Sequence, residues 1–294
     1  MFVDAIEQAA RFTRPIHSIC RNYDSTLVQP GAATLFFLNG DGWALTCAHV
    51  AKQLIAGEQL AAKRRAFIDE LTKRKGEKKE KQIIRELEQK YQYSKNVTFE
   101  LYNRFINCVE GRIDFEIKLH DKLDVALIHF TSFTRLLCDS FPVFAANGAE
   151  LKQGMFLCRL GFPFVEFTNY AYDSATDTIQ WTTAGKAATP RFPIEGMVTR
   201  HLVDDTGTVI GFELSTPGLR GQSGGPAFDT EGRIWGMQSA TNHLDLDFDV
   251  NQEVLRKGVK RRISDSAFLH VGHCIHVDLL KSFMAQHSVQ FQEG

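Results

Sequence analysis

Apolar positions recur along the chain in two rhythms. Near the start, Val3, Ile6, Ala9 and Ala10 fall at helical spacing, which predicts a short amphipathic helix from Phe2 to Phe12. Beyond it the apolar residues come in short runs rich in β-branched and aromatic side chains: Ala32 to Leu38, Trp43 to Thr46, Thr98 to Tyr102, Arg112 to Leu119, Val125 to Phe130 and Met155 to Leu160. Later runs are Gly196 to Leu202, Val209 to Leu214, Ile234 to Ser239 and Phe268 to Val277. Turn signals such as Asn39-Gly40-Asp41-Gly42 separate them. Many short strands with few helices between them predict an all-β, antiparallel sandwich or barrel rather than a parallel α/β sheet.

One stretch breaks this texture. Gly57 to Tyr93 is dense in Lys, Arg and Glu, with Phe67, Leu71, Ile83, Ile84 and Leu87 in helical phase, and reads as an inserted helical hairpin turning at Lys75-Gly76. Its basic excess suits either a solvated arm or a docking platform for a regulatory protein. A last helix is expected from Val277 to Gln286. The chain thus divides into an N-terminal helix (1–13) and one domain (14–294) interrupted by a helical insertion at about 57–93.

Composition narrows the partners. At 294 residues, 44% hydrophobic and 23% charged, with a net charge of −1, the chain can bury a large core but has no electrostatic pull toward nucleic acid or anionic membrane. No apolar run is long enough to span a bilayer, and Met1 to Glu7 lacks the features of a secretory signal, so a cytoplasmic location is expected. The six cysteines are scattered and mostly flanked by apolar residues, which predicts free thiols rather than disulfides. Asp245-Leu246-Asp247-Phe248-Asp249 mimics a calcium loop but has Val250 where a glycine and Arg256 where a glutamate are required. His270, His273, Cys274 and His276 are close in sequence, yet a strand would spread them instead of converging them on a metal. No metal or other cofactor is expected.

Three motifs carry the chemistry. Gly221-Gln222-Ser223-Gly224-Gly225-Pro226 sets a serine on a tight turn where Gly221 and Ser223 can offer backbone N–H groups to a developing oxyanion. A serine hydroxyl needs a base, and Thr46-Cys47-Ala48-His49-Val50 supplies His49 at the end of a strand. The base needs a carboxylate to fix its tautomer. In Lys122-Leu123-Asp124-Val125-Ala126-Leu127-Ile128, Asp124 heads an apolar strand; Asp121 nearby reads as a turn residue.

With the order His, Asp, Ser, the chain resembles the trypsin-like serine protease superfamily, and most of all its high-temperature-requirement branch. Gly31 to Val50 is similar to that branch's first hairpin, Leu160-Gly161-Phe162-Pro163 to a strand end, Gly196-Met197-Val198 to a Gly-Ile-Val strand and Gly272-His273-Cys274-Ile275-His276 to its final strand. The resemblance implies two six-stranded antiparallel barrels of chymotrypsin type. It also implies a serine endopeptidase that acts on protein or peptide substrates through an acyl-enzyme, with His49, Asp124 and Ser223 as triad and no trailing peptide-binding module. The pocket for the side chain before the scissile bond would involve Pro217, Arg220, Ser239, Thr241, His273 and Cys274. A small neutral pocket is the first expectation, since Pro217 stands where trypsins carry an aspartate; Arg220 and His273 would favour an acidic side chain, Asp245 or Asp247 a basic one. Gln222 stands where zymogens of the superfamily keep an aspartate, so activation by a newly cut N-terminus is not expected. Two other readings remain: an esterase, because Gly-x-Ser-x-Gly is also satisfied, although the βαβ pattern is missing; and a catalytically silent binding module on the same fold.

Overall fold

In the computed structural model, which describes residues 1–76, 80–256 and 258–294, helix α1 (Val3–Phe12) runs directly into strand β1 (Thr13–Asn22). Strands β2 (Gln29–Phe37) and β3 (Trp43–Thr46) form a hairpin. Asn39 closes its turn, accepting the Asp41 N–H at 3.0 Å on its side-chain oxygen. Helices α2 (Ala48–Lys73) and α3 (Glu80–Tyr91) follow, then β4 (Thr98–Phe105), β5 (Asp114–Leu119) and β6 (Ala126–Ser132). The six strands make one antiparallel sheet in the order β4-β1-β2-β3-β6-β5.

The second sheet is built from β7 (Phe156–Gly161), β8 (Phe192–Val203), β9 (Val209–Leu214), β10 (Pro226–Phe228), β11 (Arg233–Arg256) and β12 (Val259–His276). Pairing runs β10-β7-β8-β9-β12-β11, and β11 pairs back onto β10, so the hydrogen-bonded order returns on itself. Val143–Phe144 extends this sheet in parallel along the start of β11. The chain is mostly β, with a chymotrypsin-like arrangement of two antiparallel sheets. One continuous core joins them: Leu35, Phe36 and Leu127 of the first sheet pack with Leu160, Phe228 and Ile275 of the second, closed off by Phe12 and by Leu280 and Phe283 of α4 (Val277–Gln286). Each such side chain contributes about 1.5–3 kcal/mol on burial, which holds the sheets as one body and fixes the cleft between them.

Several expectations need correction. In α1 the buried face is Phe2, Ala5, Ala9 and Phe12, while Val3 is 60% exposed; the two phenylalanines, the largest apolar groups, set the phase. Helix α2 does not break before Gly57 but continues unbroken from Ala48 to Lys73. Gly57 lies flat against β4, where a Cβ would meet the Leu101 carbonyl at 3.1 Å and the Asn103 amide at 2.9 Å. The charged segment is therefore an extension of the helix that bears His49. Of its expected apolar positions, Phe67, Ile83 and Leu87 are buried, in a small aromatic core with Tyr93 and Phe99. The expected turn falls at Lys75-Gly76, where Gly76 has φ +94°. Strand β1 escaped the pattern because it buries polar side chains, Thr13, His17, Ser18 and Arg21, among its apolar ones. The strands near Ile234 and Phe268 run on into a long hairpin whose register extends to Arg256↔Val259. The acidic-apolar run at Asp245 sits in β11 at a register shift between Asp245 and Asp249.

Candidate active site

Strand β3 ends at Thr46, and the fully buried Cys47 starts α2, so His49 stands in the first turn of a helix anchored in the core. Asp124 lies in the tight connection between β5 and β6, where Val125 N–H bonds back to Leu123 at 2.8 Å. The two side chains meet: Asp124 Oδ2 lies 2.8 Å from His49 Nδ1, and its Oδ1 accepts the His49 backbone N–H at 2.9 Å. The carboxylate therefore orients the imidazole and also caps the positive end of α2. Asp121 makes no such contact among the described residues. Burial alone would raise the Asp124 carboxyl, but hydrogen bonds from the His49 ring, the Ser239 hydroxyl and the His49 backbone outweigh it and hold the group well below the usual carboxylate range.

Ser223 sits on the turn into β10. Gly221 and Gly224 flank it with φ +97° and +87°, a left-handed backbone that side chains resist. Contact forbids side chains as well, since a Cβ on Gly224 would lie 2.1 Å from the Thr34 carbonyl. The loop is tied to the first sheet by Thr34, whose N–H bonds Ser223 O at 3.0 Å and whose hydroxyl bonds Gly221 O at 2.6 Å. Gln222, fully buried, accepts the Leu219 N–H at 3.1 Å and donates to Phe192 O at 3.2 Å. Where an aspartate would seek a cation, this neutral amide holds the loop by itself. The backbone N–H groups of Gly221 and Ser223 have no acceptor among the described residues.

Ser239 connects the parts. Its hydroxyl donates to Asp124 Oδ2 at 2.6 Å and its carbonyl accepts the Ser223 hydroxyl at 3.2 Å. One residue of β11 thus touches both the aspartate of the first sheet and the serine of the second. Ser239 was expected in the substrate pocket alone; its contact with the aspartate is a long-range one that local spacing does not signal.

A cavity of about 510 Å³ opens beside Ser223, lined among others by Pro217, Arg220, Ser239, Thr241, His243 and His270. His273 and Cys274 do not line it. Cys274 is fully buried with its thiol toward Gln238, and His273 pairs with Glu213 of β9, because the register shift between Gln238 and Ala240 turns that part of β12 away. His243 and His270 take their place, facing each other across the hairpin with their Nδ1 atoms 2.5 Å apart. Asp245 and Asp247 do not line the cavity either.

Cys47, His49 and Asp124 present their ligand atoms within 4.8 Å of one another. The Cys47 thiol is raised well above its usual range by burial and by the Asp124 charge; it remains protonated and bonds the Gln238 carbonyl at 3.2 Å, so the trio is a hydrogen-bonded group. His276, in the cluster weighed for zinc, caps α4 by accepting the Asp278 N–H at 3.3 Å. All six cysteines are free. None of the described helices is long and apolar enough to cross a membrane.

No curated protein matches the chain. Among solved structures it is similar to the HtrA-type protease AlgW with a decapeptide, at TM-score 0.50 and 11% identity, covering 97% of this chain and 66% of that one. A variant of AlgW with a tripeptide matches at TM-score 0.47 and 11% identity, with 97% and 62% covered. The chain spans about two thirds of the length of the first of these structures and a little under two thirds of the second, and at this identity the likeness is one of fold. The model of the trypsin-like peptidase domain matches residues 33–237, from β2 through the serine turn into β11. A match across that much of the chain, spanning His49, Asp124 and Ser223, makes it a member of the trypsin-like peptidase family.

Proposed function

We propose that the protein is a serine endopeptidase that cleaves protein or peptide substrates through an acyl-enzyme. The observation that carries this reading is the His49–Asp124 pair, 2.8 Å apart, together with a serine turn whose Gly221 and Ser223 N–H groups have no acceptor among the described residues. In the reaction Ser223 Oγ attacks the scissile carbonyl as His49 Nε2 takes its proton, and the imidazolium is stabilised by Asp124. The N–H groups of Gly221 and Ser223 receive the oxyanion. His49 then returns the proton to the leaving amine, and water, deprotonated by His49 in its turn, releases the acyl group. The two sheets stand as the two barrels of residues 14–294, with the catalytic groups at their junction, and the outward face of α2 and α3 serves as a platform for a regulatory protein. The folded setting of this chemistry is the cytoplasm.

A silent binding module is the second reading, favoured by one detail: the Ser223 hydroxyl is turned to the Ser239 carbonyl in this conformation. A fluorophosphonate separates the two, because it reacts only where serine, base and oxyanion hole work together. Labelling of Ser223, lost in Ser223→Ala and His49→Ala, is expected. Protein that neither labels nor cleaves any peptide, with or without partners, would be a binding module.

A further inference from the structure

Behind the floor of the cavity beside Ser223 lies a charge without a counterion. Arg159 of β7 is 0% exposed. Its Nη2 donates to Thr216 O at 3.0 Å, to the Thr216 hydroxyl at 2.6 Å and to Pro217 O at 3.2 Å; its Nη1 donates to Gln238 Oε1 at 2.5 Å; and its Nε has no partner. Every acceptor is neutral, and no carboxylate pairs with the guanidinium among the described residues. The remaining groups that act on it electrostatically are the Cys158 and Cys274 thiols, each pushed up to about 12 by burial and so uncharged at neutral pH. Burial also pulls the Arg159 pKa down, but an arginine is not deprotonated in a protein, so the group stays charged.

An isolated buried charge is among the costliest features a fold can carry. A clamp for the Thr216 and Pro217 carbonyls would need only donors, which an uncharged amide supplies. The surroundings also make room for this group: a Cβ on Gly272 would sit 2.0 Å from Nη1. Two of its contacts lead to the cavity. Pro217 lines it, and Gln238 immediately precedes the lining residues Ser239 and Ala240, donating to the Ala240 carbonyl at 2.6 Å. The cavity itself has Arg220, His243 and His270 on its walls and no acidic residue. Thr241 bonds Gly218 O at 2.7 Å across it, so a substrate side chain must reach past that contact to the Gln238 amide.

We propose that Arg159 is the positive base of the specificity pocket and that the enzyme cleaves after acidic residues, glutamate above aspartate. The substrate carboxylate takes the place of Gln238 Oε1 on the guanidinium and supplies the missing anion. Glutamate has the advantage in reach because the guanidinium lies behind the Pro217 and Gln238 layer. The inference rests on the serine-endopeptidase reading and names the substrate class of the same site.

The experiment is a set of fluorogenic peptides identical except for Glu, Asp, Gln, Leu or Lys before the scissile bond, run alongside fluorophosphonate labelling of Ser223. Wild-type kcat/KM is expected to favour Glu over Gln by about 100-fold, the scale of a desolvated charge pair, with Lys cleaved most slowly. Arg159→Met should bring the Glu-to-Gln ratio close to one while Ser223 still labels, and Arg159→Lys should keep part of the preference. If Arg159→Met does not fold, the wild-type series and the Arg159→Lys ratio decide. Gln or Leu peptides cleaved as fast as Glu by protein that labels at Ser223 would overturn the specificity while leaving the protease intact. Absence of both labelling and cleavage would overturn both.

Discussion

Replacing Asp124 by Asn tests the site at its most connected atom. The carboxylate accepts from His49 Nδ1 at 2.8 Å, from Ser239 Oγ at 2.6 Å and from the His49 backbone N–H at 2.9 Å. An amide keeps one acceptor, which can still cap the helix, so the fold should survive. Its NH₂ then faces both the imidazole and the Ser239 hydroxyl. Two charge-assisted bonds are lost, each worth about 1.5–3 kcal/mol, or about 3–6 kcal/mol together. The imidazole must also accept at Nδ1, which puts its proton on Nε2, where the Ser223 proton should go. Loss of the orienting carboxylate from a Ser-His-Asp triad costs about 10⁴-fold in kcat, or about 5 kcal/mol, in agreement with the sum of the two bonds. The assay is kcat on a cleaved peptide and the rate of fluorophosphonate labelling, with a thermal melt to confirm folding. A well-folded Asp124→Asn protein losing less than about tenfold would refute the assignment, and Asp121 would be the next residue to replace.

Three further outcomes are expected. Ser239→Ala removes one bond to the carboxylate but keeps the carbonyl beside Ser223, so kcat should fall about 10- to 100-fold, and an unchanged kcat would make the bridge idle. Gly221→Ala would force a Cβ to within 2.4 Å of the Phe162 carbonyl at φ +97°; labelling should slow by at least about 100-fold and the melting temperature should drop, whereas full activity would remove Gly221 from the oxyanion site. His17, stacked on Phe167 and bonded to Thr189, is lowered to about 4 by burial and by Arg104. Between about 6.5 and that value the unfolded chain binds the proton and the native one does not. Stability should therefore be full above this window and decline by about 3 kcal/mol as pH falls through it. Urea midpoints from pH 4 to 8 should show a flatter profile in His17→Phe, and identical profiles would rule His17 out as the cause.

Where a residue's task depends on its own backbone, the sequence announces it. Gly221 and Gly224 adopt left-handed φ and pack against carbonyls, and only glycine does both without strain, so the serine turn is visible in six letters. Two short strands with mostly apolar side chains also gave themselves away: Trp43–Thr46 and Val209–Leu214 begin and end where the apolar runs do. Helix α4 coincides with its expected span, Val277–Gln286. Strand β1 buries polar side chains, Thr13, His17, Ser18 and Arg21, and so shows no apolar period, and β11 continues past its apolar part into alternating acidic residues that look like a loop. Helix α2 hides its continuity behind Gly57, which reads as a breaker in isolation but is there for close approach to β4.

Contacts made across the molecule follow a different logic. Ser239 meets Asp124 from 115 positions away, and Arg159 meets Gln238 from 79. Neither pair has a spacing rule, because the partners come from different strands and their meeting depends on register. The half-step between Gln238 and Ala240 shows how little it takes. On one side of it Cys274 pairs with Gln238 in the core; on the other, Thr241 faces the cavity, and His273 and Cys274, expected at the pocket, drop out of it. Reaction chemistry in this fold is therefore written in short motifs that constrain the backbone, whereas side-chain selection is written in register. Two chains with the same three motifs can differ in the residue they cut after, and a buried arginine on a strand far from the serine is the kind of position at which they would differ.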